Sequence, residues 1–109
     1  MADDKEILDR LMAVIVSRKV NPPDRSYTSS LLEGGVKTIG AKISEEAAEV
    51  IAAADEPGKR GQAHLIHEAA DLIYHLFVML AHREIELDEV RAELGRRFGV
   101  SGIDEWESR

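Results

Sequence analysis

The sequence predicts an all-α fold, an antiparallel bundle of about four to five helices. Apolar residues recur every three or four positions over long stretches, the period of a helix with one buried face. The apolar content is mostly Ala, Leu, Ile and Val with few aromatics, which suits closely packed helices better than a sandwich. Proline and paired glycines fall at a few points only, and no segment alternates as a strand would. A length of 109 residues argues for one domain, spanning 1–109.

The first helix is expected to start near Asp3 or Asp4, whose carboxylates suit a first turn. Ile7, Leu8, Leu11, Val14 and Ile15 form its apolar stripe, and Asn21-Pro22-Pro23-Asp24 ends it. Ser26 then caps a short helical piece, about Tyr27 to Glu33, which Gly34-Gly35 breaks. A third helix runs from about Val36 to Ala54, weakened slightly by Gly40. Asp55 to Gly61 reads as a turn. A fourth helix, about Gln62 to His82, is the longest and most apolar, and a last one covers about Asp88 to Phe98. Residues 99–109 read as a loosely ordered tail in which Trp106 is a docking residue or a chance exposed aromatic. Short connections between the two long helices imply antiparallel neighbours.

Several function classes drop out. The absence of cysteine removes disulfides and thiolate metal sites. A net charge of −7 without a segregated basic run disfavours nucleic acid. No apolar run spans a bilayer and nothing reads as a signal peptide, so the expectation is a soluble, cytoplasmic protein without a membrane partner. The fourth helix is so apolar over residues 65–80 that a chain this short would leave much of it exposed, and a homodimer or higher homo-oligomer is expected.

The chemistry lies in two acidic stripes. At about 100° per residue, Glu45, Glu46 and Glu49 fall within about 60° of Lys42 on the third helix. Ile39, Ile43, Ala47, Val50, Ile51 and Ala54 occupy the adjoining arc. On the fourth helix, His64, Asp71 and His75 fall within about 60° of Glu68, while Leu65, Leu72, Phe77 and Leu80 cover the other side. Such stripes are usually ordinary wet helix faces, since Glu favours helices. Here like charges stand three and four residues apart, and the positions four after Glu45, Glu46 and Glu49 are Glu49, Val50 and Ala53, not Lys or Arg. Converging carboxylates without basic partners make sense around a hard cation, Mg²⁺ first and Mn²⁺ as its substitute. A di-iron bundle would use Glu-x-x-His pairs, and no Glu in this chain has a His three residues later.

Lys42-x-x-Glu45-Glu46-x-x-Glu49 followed by Glu68-x-x-Asp71 resembles the all-alpha NTP pyrophosphohydrolase superfamily, which includes MazG-type enzymes and dimeric dUTPases. Pro22-Pro23-x-x-Ser26-Tyr27-Thr28 and Asp71-Leu72-Ile73-Tyr74-His75-Leu76 make the closer resemblance that to the phosphoribosyl-ATP pyrophosphohydrolases of histidine biosynthesis. The resemblance covers roughly Leu8 to Arg97, and departs from the usual pattern at Thr38-Ile39 and at Ser44. It implies a MazG-like bundle completed by dimerisation, and hydrolysis of phosphoribosyl-ATP to phosphoribosyl-AMP and pyrophosphate. It further implies Glu46, Glu49, Glu68 and Asp71 as metal ligands, with Glu45 a further ligand or the residue orienting the attacking water. Glu45, Glu46 and Glu49 thus stand as the catalytic set. Lys42 reaches a phosphate or pairs with Glu46, Lys37 lies beside the family's phosphate-contact position, and Tyr27 approaches the base or ribose. His75 is expected to hold Asp71, while His64, His67 and His82 are taken as surface or interface residues. The same acids would serve a MazG-like nucleoside triphosphate pyrophosphatase, and a non-catalytic helical interaction module is the alternative from another class.

Overall fold

The computed structural model describes residues 6–99, and within them the fold is all-α. Four helices follow in order: α1 (Ile7–Val20), α2 (Tyr27–Ala54), α3 (Gly58–His82) and α4 (Leu87–Phe98). The expected helix start at Asp3 or Asp4, and most of the C-terminal tail with Trp106, lie outside the described residues. No helix of the described chain is long and apolar enough to cross a membrane.

α2 is the expected short piece and third helix joined across a kink. Ser26 caps it by accepting from the Ser29 N–H at 3.1 Å. Gly35 stands at φ 73°, ψ −163°, a region that only glycine enters easily, and here the axis breaks. The Asp55–Gly61 turn is shorter than expected. Pro57 is the N-cap of α3, Gly58 takes φ 75°, and the helix already runs through Gly61. Gly61 is buried against this turn, and a Cβ there would meet the Glu56 carbonyl oxygen at 2.2 Å. Glycine here marks close packing inside a helix rather than a turn.

α2 and α3 form an antiparallel hairpin and make the principal helix contact. The core gathers at one end of it. Met12 and Ile15 of α1, Leu31 and Ile39 of α2, and Phe77, Val78 and Ala81 of α3 close around one another. Burying each large side chain contributes on the order of 1.5–3 kcal/mol. Lys19 fastens α1 to the end of α3, donating to the Ala81 and His82 carbonyls at 2.9 and 3.3 Å. α4 begins with a capping box between Glu86 and Glu89 and is tied to α1 by Arg91 on Asp9 at 2.7 Å. Toward the α2–α3 turn no third layer covers the hairpin among the described residues. Ile51 is 72% exposed and Ile66 65%, and Ile73 and Leu76 are exposed too. The acidic residues lie on the seam between the packed end and this open end.

Candidate active site

The three-residue connection Asp55–Pro57 sets the register of the hairpin. Facing residues have numbers that sum to about 113, so Glu46 comes opposite Glu68, Glu49 opposite His64, and Lys42 opposite Asp71. Side chains three and four apart share a face, so Glu46 and Glu49 of α2 both come near Glu68 of α3.

The centre of the seam is buried: Glu46 is 8% exposed, Glu68 7% and His75 4%. Burial, then a hydrogen bond with the Glu68 carboxyl, then the charges of Asp71 and Glu68, push the Glu46 pKa above its ordinary value, while His75 pulls it down. Glu68 is the hub. One ligand atom each from Glu49, His64 and Glu68 lie within 4.8 Å of one another, and so do those of His67, Glu68 and Asp71. Glu45 sits on the exposed rim, where Lys42 Nζ meets its carboxylate at 3.4 Å. That hydrogen bond is the main cause holding the Lys42 pKa above its usual value.

Behind the carboxylates runs an aromatic tie between the start of α2 and the middle of α3. The His75 Nδ1–H donates to the Asp71 carbonyl at 2.8 Å. In the neutral ring its Nε2 therefore accepts from the Tyr27 hydroxyl, 2.9 Å away. Thr28 and Tyr74 share a second hydroxyl contact, and the Tyr27 and Tyr74 rings stack at 6.3 Å. Burial raises the Tyr27 pKa, with the Lys42 charge opposing it. Tyr27 is still half exposed, so its ring borders both the seam and solvent.

An oxygen-rich, partly dry groove with a buried carboxyl pair and a rim lysine is suited to a hard cation and the phosphates it carries. A separate groove of about 610 Å³ lies between α1 and the α3–α4 connection, lined by Met12, Val16 and Leu87 among others, and contains none of these carboxylates.

The profile of a family described as phosphoribosyl-ATP pyrophosphohydrolase matches residues 8–98. The chain belongs to the phosphoribosyl-ATP pyrophosphohydrolase family. Among similar proteins, the phosphoribosyl-ATP pyrophosphatase of Rhodopirellula baltica is 56% identical over 102 residues, covering 94% of this chain and 85% of that protein. That of Trichlorobacter lovleyi is 52% identical, covering 100% of this chain and 98% of its own length. That of Paramagnetospirillum magneticum is 48% identical, with 100% and 97% covered.

Within this pyrophosphohydrolase fold most of the expected residues converge, with three differences of detail. Lys42 pairs with Glu45, one turn on at i+3, and not with Glu46, because Glu46 points into the buried seam. His75 holds Asp71 through its backbone carbonyl, and it is His67 that faces the Asp71 carboxylate. Lys37 is exposed on α2, about 140° around the helix from Lys42 and away from the carboxylates. The histidines taken as surface or interface residues include two that reach the site. His64 bridges Glu56, at 2.8 Å, and Glu68, at 3.4 Å, and His67 lies 3.4 Å from Asp71. The signal was present in the sequence: His64 and His67 each stand four residues before an acid. Glu56 gave no such signal, because its turn closes the contact.

Proposed function

We propose that the protein hydrolyses phosphoribosyl-ATP to phosphoribosyl-AMP and pyrophosphate, as a Mg²⁺-dependent step of histidine biosynthesis. Family membership gives the reaction class. The observation that carries the site is the buried Glu68 of α3, which faces Glu46 of α2 and shares one donor group with Glu49 of α2 and another with Asp71 of α3.

The donor set fits the metal. Carboxylate oxygens predominate, two of the carboxyls are buried, and Glu46 is pushed toward its neutral form, so a cation among them relieves a cost that the fold otherwise bears. Glu46, Glu49, Glu68 and Asp71 would hold Mg²⁺, with Mn²⁺ able to substitute. When bound, the metal neutralises phosphate charge and lowers the pKa of a water. Little covalent help is needed for phosphoanhydride cleavage, so positioning and charge dominate what the protein adds. Glu45 on the rim orients the attacking water and takes its proton, and Lys42 beside it meets a phosphate oxygen. Tyr27 offers a ring face to the base or ribose. His75 keeps that ring in place through its 2.9 Å bond, and Lys37 makes at most an outer phosphate contact.

The exposed Ile51, Ile66, Ile73 and Leu76 support a homodimer, with a second copy supplying the missing layer over the open end of the hairpin. A cytoplasmic setting suits a biosynthetic hydrolase of this kind. The test is a substrate panel with product analysis. Phosphoribosyl-ATP with Mg²⁺ should release pyrophosphate and no orthophosphate. Activity confined to deoxynucleoside triphosphates, or release of orthophosphate alone, would refute the assignment.

A further inference from the structure

We propose that Tyr74 and Thr28 are positioning residues for substrate recognition: they fix the Tyr27 ring as a platform for the adenine end of the substrate. The proposal rests on the reading of Tyr27 as the residue that meets the base or ribose, and adds how its place is set.

α2 alone does not place Tyr27. Tyr27 is the first residue of the helix, and the break at Gly35 separates it from the stretch that carries Lys42, Glu45, Glu46 and Glu49. Before it, Pro22–Arg25 are exposed and Arg25 stands at φ 60°. The ring is fixed instead from α3, which meets it with two consecutive residues. Tyr74 shares a hydroxyl contact with Thr28, and His75 Nε2 lies 2.9 Å from the Tyr27 hydroxyl. Two neighbours on one helix thus grip two neighbours on the other.

Tyr74 also shapes the platform. Its ring lies nearly parallel to that of Tyr27, at 22° and 6.3 Å between centroids, while His75 stands edge-on to both. Tyr74 is half-buried and packs on the core. Tyr27 is thereby backed by a ring anchored in the core, yet is itself 52% exposed. An aromatic ring held rigidly and open to solvent is a stacking surface for a base. The Tyr27 phenol also lies within the field of Lys42, Glu46 and Glu45, so the platform adjoins the charged rim. α3 is the common ruler. Asp71 and Glu68 precede Tyr74 by about one and two turns, so the base end and the phosphate end are measured off the same helix.

The test uses the full chain and reads the two ends of the site separately. Calorimetry measures binding of phosphoribosyl-AMP, which carries the base, and of pyrophosphate with Mg²⁺, which does not. Turnover of phosphoribosyl-ATP gives KM and kcat. Tyr74→Phe keeps the ring and removes the hydroxyl, and Thr28→Val removes its partner. Each should weaken phosphoribosyl-AMP binding and raise KM by about fivefold, the effect of one lost hydrogen bond, with kcat and pyrophosphate binding unchanged. The double variant should lose no more than either single one. Thr28→Ser, which keeps the hydroxyl, should behave as wild type. Unaltered phosphoribosyl-AMP affinity in Tyr74→Phe and Thr28→Val, equal weakening of both ligands, or losses that add in the double variant would overturn the proposal. A wild type that binds phosphoribosyl-AMP but leaves phosphoribosyl-ATP intact would remove the proposed function, and the binding arm would still decide the platform.

Discussion

Replacing Glu46 by Gln should stabilise the metal-free protein. Glu46 and Glu68 are both more than nine-tenths buried and face each other across the hairpin. Two full charges about 4 Å apart near a protein surface repel by about 4 kcal/mol. Burial and the neighbouring Glu68 carboxyl make Glu46 keep its proton to higher pH than usual. Each pH unit of that displacement still costs about 1.4 kcal/mol of stability at neutral pH. Gln keeps the shape, has no charge, and its amide can donate to the Glu68 carboxylate. A gain in stability in EDTA at neutral pH is expected, and each kcal/mol regained raises the melting temperature by about 4–8 °C in a domain of this size. The sign with pH follows from the raised value. Below about 4.5, the ordinary Glu value, the carboxyl is neutral in folded and unfolded chains alike and the wild type bears no penalty. As pH rises through the folded pKa the wild type loses stability, so its gap to Glu46→Gln should open over that window and then level. Mg²⁺ at 100 times its dissociation constant should add about 2.7 kcal/mol to the wild type and clearly less to the variant. Thermal melts of both proteins in EDTA and in millimolar Mg²⁺, from acid to neutral pH, are the assay. A Glu46→Gln protein that melts earlier than wild type in EDTA at neutral pH would refute the reasoning.

Three further outcomes are expected. Tyr27→Phe leaves the buried His75 Nε2 without its 2.9 Å partner and should cost about 1 kcal/mol, seen as a urea midpoint shift; an unchanged midpoint would show that the tie is not formed in solution. Gly35→Ala should cost about 1–3 kcal/mol for the backbone conformation alone, because the nearest atom to a new Cβ, on His82, is 3.8 Å away; a neutral Ala would contradict the kink geometry. Sedimentation at micromolar concentration should show a dimer or larger, and a folded, active monomer would contradict the second-copy reading of Ile51 and Ile66.

Much of this arrangement was legible because it is local. Gly34-Gly35 announces the break in α2, and helical spacing puts Glu46 with Glu49 and Glu68 with Asp71 before any tertiary fact is known. What sequence reasoning missed depends on register and on close approach. Gly58 and Gly61 look like turn residues, yet they open α3, Gly61 because only a bare Cα fits beneath the Glu56 carbonyl. His64 looks like a surface residue until the turn brings Glu56 to one of its nitrogens and the helix brings Glu68 to the other. Ile51 and Ile66 carry the periodicity of a core, yet among the described residues nothing covers them.

The central claim is that carboxylates from α2 and α3 jointly hold the cation that drives hydrolysis. Glu68 is the decisive residue, since it belongs to both donor groups. Pyrophosphate release from phosphoribosyl-ATP should therefore be measured for wild type and Glu68→Gln across a Mg²⁺ titration that starts in EDTA. Wild type should be inactive in EDTA and recover saturably with Mg²⁺, and Glu68→Gln should lose about 100-fold or more in a way that added Mg²⁺ does not restore. A Glu68→Gln enzyme with near-normal activity, or a wild type equally active in EDTA, would contradict it.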